Sequence, residues 1–382
     1  MAPTDKKLEK QILQTLAELG GKQADDDNIV FEGEKLILPA SFNGDIGRAI
    51  KFLDQKRNEM ESETQFLRTF NYRPWDGAFC MWNAFKKAFG SVGHSGIDRG
   101  WFFGTEPPRM ISIPSGVDET VQVPWGTFNL PGLKGVTFET FEFQHDELGP
   151  LFGLSVRGPK KFAAQIEGVF KLVENELETN SMYRGKAFDG QGMPEFIDLS
   201  GLDPESVVYS TEVMTQLEVN IWAQLRHTAD FEKHGVPLKR AVLVHGPYGT
   251  GKTLAAVLTG QEAVANGWTF IKGRPGRDNL GFVMQTARLY QPSVVFYEDV
   301  DQVADVENLD GSGISRLLDD FDGIEAKNTK ILCVLTTNHP DRIHKGMARP
   351  GRLDAMIAID ELDQVGMQKL VTVCVGRDLL AD

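Results

Sequence analysis

The sequence predicts an α/β fold, a parallel sheet with helices on both faces, preceded by an α+β N-terminal domain. Three observations predict it. From about Val207 onward, apolar runs short enough for buried strands alternate with segments of helical periodicity, the pattern of crossover units and a parallel sheet. The first of those runs, Ala241-Val-Leu-Val244, leads into a glycine-rich turn and then a helix start. Before about residue 190 the chain is instead rich in period-two alternation between Pro and Gly punctuation, flanked by amphipathic helices, which mixes strands and helices without regular crossovers.

Taken in order, Leu8, Ile12, Leu16 and Leu19 fall at helical spacing and Gly20-Gly21 stops the run. A thin basic face makes this a protein-docking helix rather than a membrane-surface one. Ile29-Val-Phe and Lys35-Leu-Ile-Leu flank Glu32-Gly33-Glu34 as a hairpin. A helix is expected over Asp45–Glu61 with Ile46, Ile50, Phe52 and Leu53 inward, and a second over Trp75–Phe89. Strands follow across residues 110–156, and Pro159 opens a helix with Phe162, Ile166, Phe170, Val173 and Leu177 on one face. In Val136–Phe143 the alternation changes phase at Thr140, which predicts a bulge. Trp75, Trp82, Trp101 and Trp125 read as core rather than recognition surface. His145-Asp146-Glu147 has no ligand spacing and reads as a solvated loop rather than a metal site. Strands are then expected at 241–244, 268–271, 293–297 and 331–336.

Of 382 residues, 41% are apolar and 25% charged, as in a soluble globular chain. The net charge of −14 divides evenly between residues 1–200 and 201–382, so neither half is a bulk basic binder of nucleic acid. Cys80, Cys333 and Cys374 are dispersed and odd in number, which points to a reducing compartment and away from a zinc site. No apolar run reaches the roughly 18 residues of a membrane span, and the N-terminus lacks the apolar core of a signal peptide. Cytoplasmic location is the default expectation.

The glycine-rich turn carries chemistry. Gly246-Pro247-Tyr248-Gly249-Thr250-Gly251-Lys252-Thr253, with Leu254 behind it, follows a buried strand and opens a helix. Glycines there let successive N–H groups face one anion, and the helix start adds positive potential. Lys252 supplies a cation for β/γ-phosphates, and the Thr253 hydroxyl a ligand for Mg²⁺. About forty residues on, Pro292-Ser-Val-Val-Phe-Tyr-Glu298-Asp299-Val-Asp301 is an apolar strand tipped with acids. Such a strand aims its carboxylates into the crevice of an open α/β sheet, where one holds a metal and the next positions water.

From about 207 to 360 the sequence resembles the AAA family of P-loop ATPases, on GPYGTGKT (246–253), PSVVFYEDVD (292–301), LLDDFDG (317–323), LTTNHPDRI (335–343) and MARPGRLD (347–354). The resemblance implies ATP and Mg²⁺ bound at residues 246–254, with Thr253 and Glu298 on the metal. It implies that Glu298 and Asp299 fill the family's Asp-Glu pair and that Asn338 is the polar sensor of the γ-phosphate. Arg349 and Arg352 match the arginine fingers that act on a neighbouring subunit's nucleotide, in a ring that is usually a hexamer. The expected organisation is an N-terminal client domain over 1–190, a linker over 191–206, the ATPase large subdomain over 207–361 and a partial helical lid over 362–382.

Three departures from the family stand out. The acid pair is inverted, Glu298 then Asp299. The loop after Phe270-Ile-Lys-Gly273 is short and has no aromatic paddle, only Lys272, Arg274 and Arg277 as candidate pore cations. The lid is a single short helix within Asp363–Leu380, reduced or truncated. The implied function is ATP-driven remodelling, disassembly or translocation of a macromolecular client, protein in preference to nucleic acid. The alternatives are a nucleotide-gated assembly scaffold with slow hydrolysis and a nucleic-acid motor.

Overall fold

The computed structural model describes residues 30–32, 35–37, 55, 58–96, 106–190, 193, 195–274, 278–301, 329–340 and 353–375. The N-terminal docking helix, most of the Asp45–Glu61 helix, Trp101, Arg277, residues 317–323, Arg349 and Arg352 lie outside them.

The expected hairpin forms from β1 (Val30–Glu32) and β2 (Lys35–Ile37). Beyond it come β3 (Glu63–Phe70), α1 (Pro74–Phe89), β4 (Gly93–Ser95), β5 (Arg109–Gly116), β6 (Glu119–Trp125), β7 (Thr127–Asn129), β8 (Thr137–His145), β9 (Gly149–Pro159) and α2 (Ala163–Asn180). Five of these strands make an antiparallel sheet in the order β3-β9-β8-β7-β4, and β5 and β6 form a separate hairpin. The proline at the first position of α1 fits the one place where a missing N–H costs nothing. Asp76 in its first turn is buried and accepts from Ser181 Oγ at 2.7 Å and the Met182 amide at 2.9 Å. The start of α1 is thereby stapled to the end of α2. Burial pushes the Asp76 carboxyl above its ordinary range, and those hydrogen bonds oppose the shift.

The core between helices and sheet is aromatic, with Phe85, Phe128, Phe138 and Phe152 fully enclosed. Gly77 lets α1 approach this layer, since a Cβ there would stand 2.0 Å from Phe152 Cγ. Gly77→Ala is therefore expected to overpack the core and cost about 1–3 kcal/mol, even though alanine is the better helix former. Urea unfolding that showed an unchanged or raised midpoint would contradict this packing.

The bulge expected at Thr140 is not formed. β8 and β9 pair without a register shift from Thr137↔Arg157 to His145↔Gly149. Thr140 keeps the inward phase of Phe138 because its hydroxyl is satisfied, donating to Gly126 O at 3.3 Å and accepting the Gly126 amide at 2.9 Å. A buried threonine with both partners reads as polar in sequence while behaving as core. The register shift occurs in the β5–β6 hairpin, between Pro114 and Gly116. His145 closes the β8–β9 turn, accepting the amides of Glu147 and Leu148.

The second half contains β10 (Ala187–Asp189), β11 (Glu195–Phe196), α3 (Thr211–Leu217), α4 (Ala223–Arg226), α5 (Thr228–Lys233), β12 (Arg240–His245), α6 (Lys252–Ala265) and β13 (Thr269–Gly273). It continues with α7 (Leu280–Leu289), β14 (Ser293–Tyr297), β15 (Ile331–Thr337), β16 (Ala355–Ala358) and α8 (Gln364–Val375). Among the described residues these strands build one sheet in the order β11-β10-β13-β14-β15-β12-β16. Its neighbours are parallel except at β11. β14 and β15 are buried along their whole length, as expected of parallel strands covered on both faces.

The sequence boundary needs correction at one place. Residues 187–189 and 195–196, split by composition between the first domain and a linker, are the outer two strands of this sheet. Each is two or three residues long and bordered by glycine or proline, so the apolar run that marks a strand is missing. Phe188 stacks edge-on against Tyr183 and Tyr290. One buried cluster runs from Phe70 and Phe170 through Phe188 to Val283, Tyr290 and Val295, so the two halves share a core.

Candidate nucleotide site

Because β12 is buried from Ala241 to Val244 between β15 and β16, its C-terminal end delivers residues 246–251 to the edge of the sheet. The next strand in sequence, β13, lies three places along the sheet, beyond β15 and β14. That reversal of order opens a crevice at the strands' C-terminal ends. In the turn, Gly246, Gly249 and Gly251 take φ of 157°, 82° and 100°, which glycine adopts without strain. At Gly246 a Cβ would stand 2.2 Å from the Ile359 carbonyl oxygen. Thr250 Oγ1 donates to Pro247 O at 2.9 Å, and Tyr209 donates its hydroxyl to Gly251 O at 2.7 Å.

α6 starts at Lys252, whose ammonium turns back to donate to Gly246 O at 2.8 Å and Pro247 O at 2.7 Å. Burial lowers the Lys252 pKa, opposed by the charges of Asp299 and Asp301. Tyr248 is exposed, its ring 5.9 Å from the Lys252 ammonium and edge-on to His339. Thr253 and Leu254 face solvent.

The acids emerge at the end of β14. Glu298 lies 3.0 Å from Lys272 Nζ on the adjoining strand β13, in an ion pair with both side chains largely buried. Asp299 has φ of 45°, a region that only Asp and Asn among larger residues visit readily. Its amide donates to Thr336 Oγ1 at 3.0 Å, and its carboxylate accepts from Asn338 Nδ2 at 2.9 Å. Burial raises the Asp299 pKa, Asp301 and Glu298 add to the rise, and the Asn338 hydrogen bond opposes it. Asp301 is buried and accepts from Thr337 Oγ1 at 2.7 Å.

The structure thus brings Lys252, Asp299 and Asn338 to one crevice and sets Glu298 against Lys272. Three contributors escaped the sequence reading: Asp301, Tyr209 and the Lys272 partner of Glu298. Of these only Asp301, within the same acid-tipped run, carried any signal. The candidate pore cations also change character. Lys272 is paired with Glu298, and Arg274 lies 3.7 Å from the buried Asp189.

The residues present fit a magnesium nucleotide. A buried ammonium is turned onto its own loop's carbonyls at a turn whose first residue, Gly246, has no room for a Cβ, with the exposed Thr253 beside it. Glu298 Oε1 and Asn338 Oδ1 are buried acceptors without a donor among the described residues, the kind of oxygen a cation's water shell can donate to. Among the described residues no cluster of three ligating side chains exists, so a cation here would draw its other ligands from water and phosphate.

A glycine-cornered turn after β12, acids at the tip of β14 one strand removed and a parallel sheet whose order reverses beside the turn define a P-loop nucleotide-binding module. Residues 242–361 match the family described as "ATPase family associated with various cellular activities (AAA)". It is these residues that carry the AAA-type ATPase module. The chain is 26% identical over 230 residues to a proteasome-activating nucleotidase of Methanocaldococcus jannaschii, covering 55% of this chain and 51% of that protein. Protein SAV of Sulfolobus acidocaldarius is 30% identical over 46% of this chain and 23% of its own length. The ATPase histone chaperone abo1 of Schizosaccharomyces pombe is 29% identical over 46% of this chain and 16% of its own. The chain therefore spans about half of the first and under a quarter of the other two. No helix among the described residues is long and apolar enough to cross a membrane.

Proposed function

We propose that this chain is one subunit of an oligomeric ATPase that remodels a macromolecular client, protein rather than nucleic acid. The observation that carries the reading is the convergence of Lys252 with the hydrogen-bonded Asp299–Asn338 pair at the reversal of strand order. In this reading Lys252 leaves its loop carbonyls for the β/γ-phosphates of ATP, and the turn amides of 246–251 hold the remaining oxygens. Thr253 and Glu298 hold Mg²⁺, which neutralises phosphate charge when bound. Asp299 takes the proton of the attacking water and Asn338 orients both. Arg349 and Arg352, outside the described residues, act from the neighbouring subunit of a ring, a hexamer by family resemblance.

Protein clients are supported by the names of two similar proteins, a proteasome-activating nucleotidase and a histone chaperone. The pairing of Lys272 and Arg274 with carboxylates weighs against a nucleic-acid motor. The Lys272–Glu298 ion pair favours a second reading, a scaffold whose assembly ATP gates and whose hydrolysis is slow, because Glu298 must leave Lys272 to reach a metal. Turnover per subunit, measured against ring lifetime, separates the two. The test of the main reading is ATP turnover beside a Lys252→Ala control, with sedimentation in and out of ATP. Turnover no higher than the control, or a monomer at saturating ATP, overturns it.

A further inference from the structure

The N-terminal half contains a cleft of about 530 Å³ between α1, the β5–β6 hairpin and β8. Trp75, Trp125 and Phe141 wall it, and Glu139 and Glu142 line it from β8. The walls are built rather than incidental. Trp125 packs edge-on against the core residue Phe152. Phe141 faces Gly153 across the β8–β9 ladder, where a Cβ would stand 2.3 Å from its ring.

The charge at the cleft is negative. Its charged lining residues are Glu139 and Glu142 against the single cation Arg109. Arg109, which also lines the cleft, is already held by Glu106 at 2.6 Å. Glu139 is only loosely paired, 3.8 Å from Arg157. Glu142 is exposed and makes no ion pair among the described residues. Aromatic faces beside one loosely paired and one exposed carboxylate attract a cation with an apolar stem, the chemistry of a lysine or arginine side chain.

A second observation selects a polypeptide as the occupant. β7 covers the outer edge of β8 only as far as Thr140, whose amide donates to Gly126 O. From Phe141 to Gln144 no strand among the described residues pairs with that edge. A free strand edge offers backbone donors and acceptors to an added strand, while neighbouring pockets read its side chains. Phe143, on the same face of β8 as Phe141 and 42% exposed, continues the apolar wall along the edge.

We propose that this cleft docks a basic, apolar segment of the client polypeptide as an extended strand on β8. A Lys or Arg stem lies against Trp75 and Trp125, with its charge on Glu139 and Glu142. The proposal rests on the remodelling reading for its client and on the cleft alone for its chemistry.

The test uses the full chain and three fluorescein-labelled peptides of alternating Lys and Leu, Glu and Leu, or Ser and Leu, read by fluorescence anisotropy. The Lys–Leu peptide is expected to bind, the other two much more weakly. The double variant Glu139→Gln/Glu142→Gln is expected to weaken Lys–Leu binding by roughly tenfold or more, with basal ATP turnover unchanged. Gly153→Ala, which pushes Phe141 into the cleft, supplies an uncharged second variant with the same expected loss. Equal binding of all three peptides, or Lys–Leu binding unaltered in both variants, overturns the cleft assignment while leaving ATP-driven remodelling standing. Absence of ATP turnover in the parent chain overturns the remodelling reading without touching the peptide result.

Discussion

Asp299→Asn is expected to reduce ATP turnover by about 10²–10⁴-fold, the usual contribution of a positioned general base, while ATP binding persists. The backbone argues that this substitution is clean. At φ of 45° asparagine is the one common replacement that keeps the conformation without strain, and its side-chain oxygen can still accept from Asn338. Removing the negative charge also removes a group that burial and the nearby Asp301 and Glu298 disfavour. The nucleotide- and metal-free variant is therefore expected to melt above the parent chain at neutral pH. The sign follows from the raised pKa: the folded chain holds this proton more tightly than the unfolded one, so ionisation weakens the fold as pH rises. The gap between variant and parent should vanish in the ordinary aspartate range, near 3.9, and open as pH climbs through the raised value. Turnover would be measured with a phosphate-release assay and stability by thermal scans across pH. A variant that turns over normally removes Asp299 from the chemistry. A variant that melts below the parent at neutral pH contradicts the electrostatics of the site.

How far the sequence carries depends on whether a feature is local. The parallel sheet was legible because β12, β14 and β15 are each built on an uninterrupted apolar run, and the phosphate turn because glycine spacing is a backbone requirement. β10 and β11 were not legible, since Ala187-Phe-Asp189 acquires its strand character only from the neighbouring β13. The partner of Glu298 was hidden for a related reason. Lys272 and Glu298 are 26 positions apart and meet because β13 and β14 run parallel in the register Lys272↔Phe296. Thr140 misled because polarity in the sequence does not reveal whether a hydroxyl finds partners. At the site, the order Glu298-Asp299 showed that the acids were rearranged, but only the structure shows Asp299 beside Asn338 and Glu298 turned to Lys272.

Arg73 was equally silent in the sequence, and Arg73→Ala is expected to destabilise the chain by about 2–4 kcal/mol. Its side chain is completely buried between the two halves. The guanidinium donates to Leu148 O at 2.7 Å, Pro150 O at 3.1 Å and Thr286 Oγ1 at 2.6 Å, and it lies 4.3 Å from the Phe282 ring centre. Thr286 and Phe282 belong to α7, which precedes the acid-tipped β14. Opposing terms decide the sign. Burial lowers the Arg73 pKa to about 10, so the charge itself is held at a cost of about 3 kcal/mol. Three hydrogen bonds from a charged donor contribute about 1.5–3 kcal/mol each, and truncation leaves a cavity besides. The bonds and packing outweigh the relief. Arg73→Met, which removes the charge but keeps most of the volume, should fall between parent and Ala variant. Arg73→Lys keeps a charge without the fork that reaches three acceptors, and should be at least as damaging as Met. Urea unfolding of the three variants checks the order. An Ala variant within experimental error of the parent would show that this arginine is a passenger in the interface. Turnover slowed under conditions where the variant is still fully folded would mark the Arg73–α7 contact as a mechanical link between the two halves, because its side-chain partners are Leu148, Pro150, Thr286 and Phe282 rather than the residues of the nucleotide crevice.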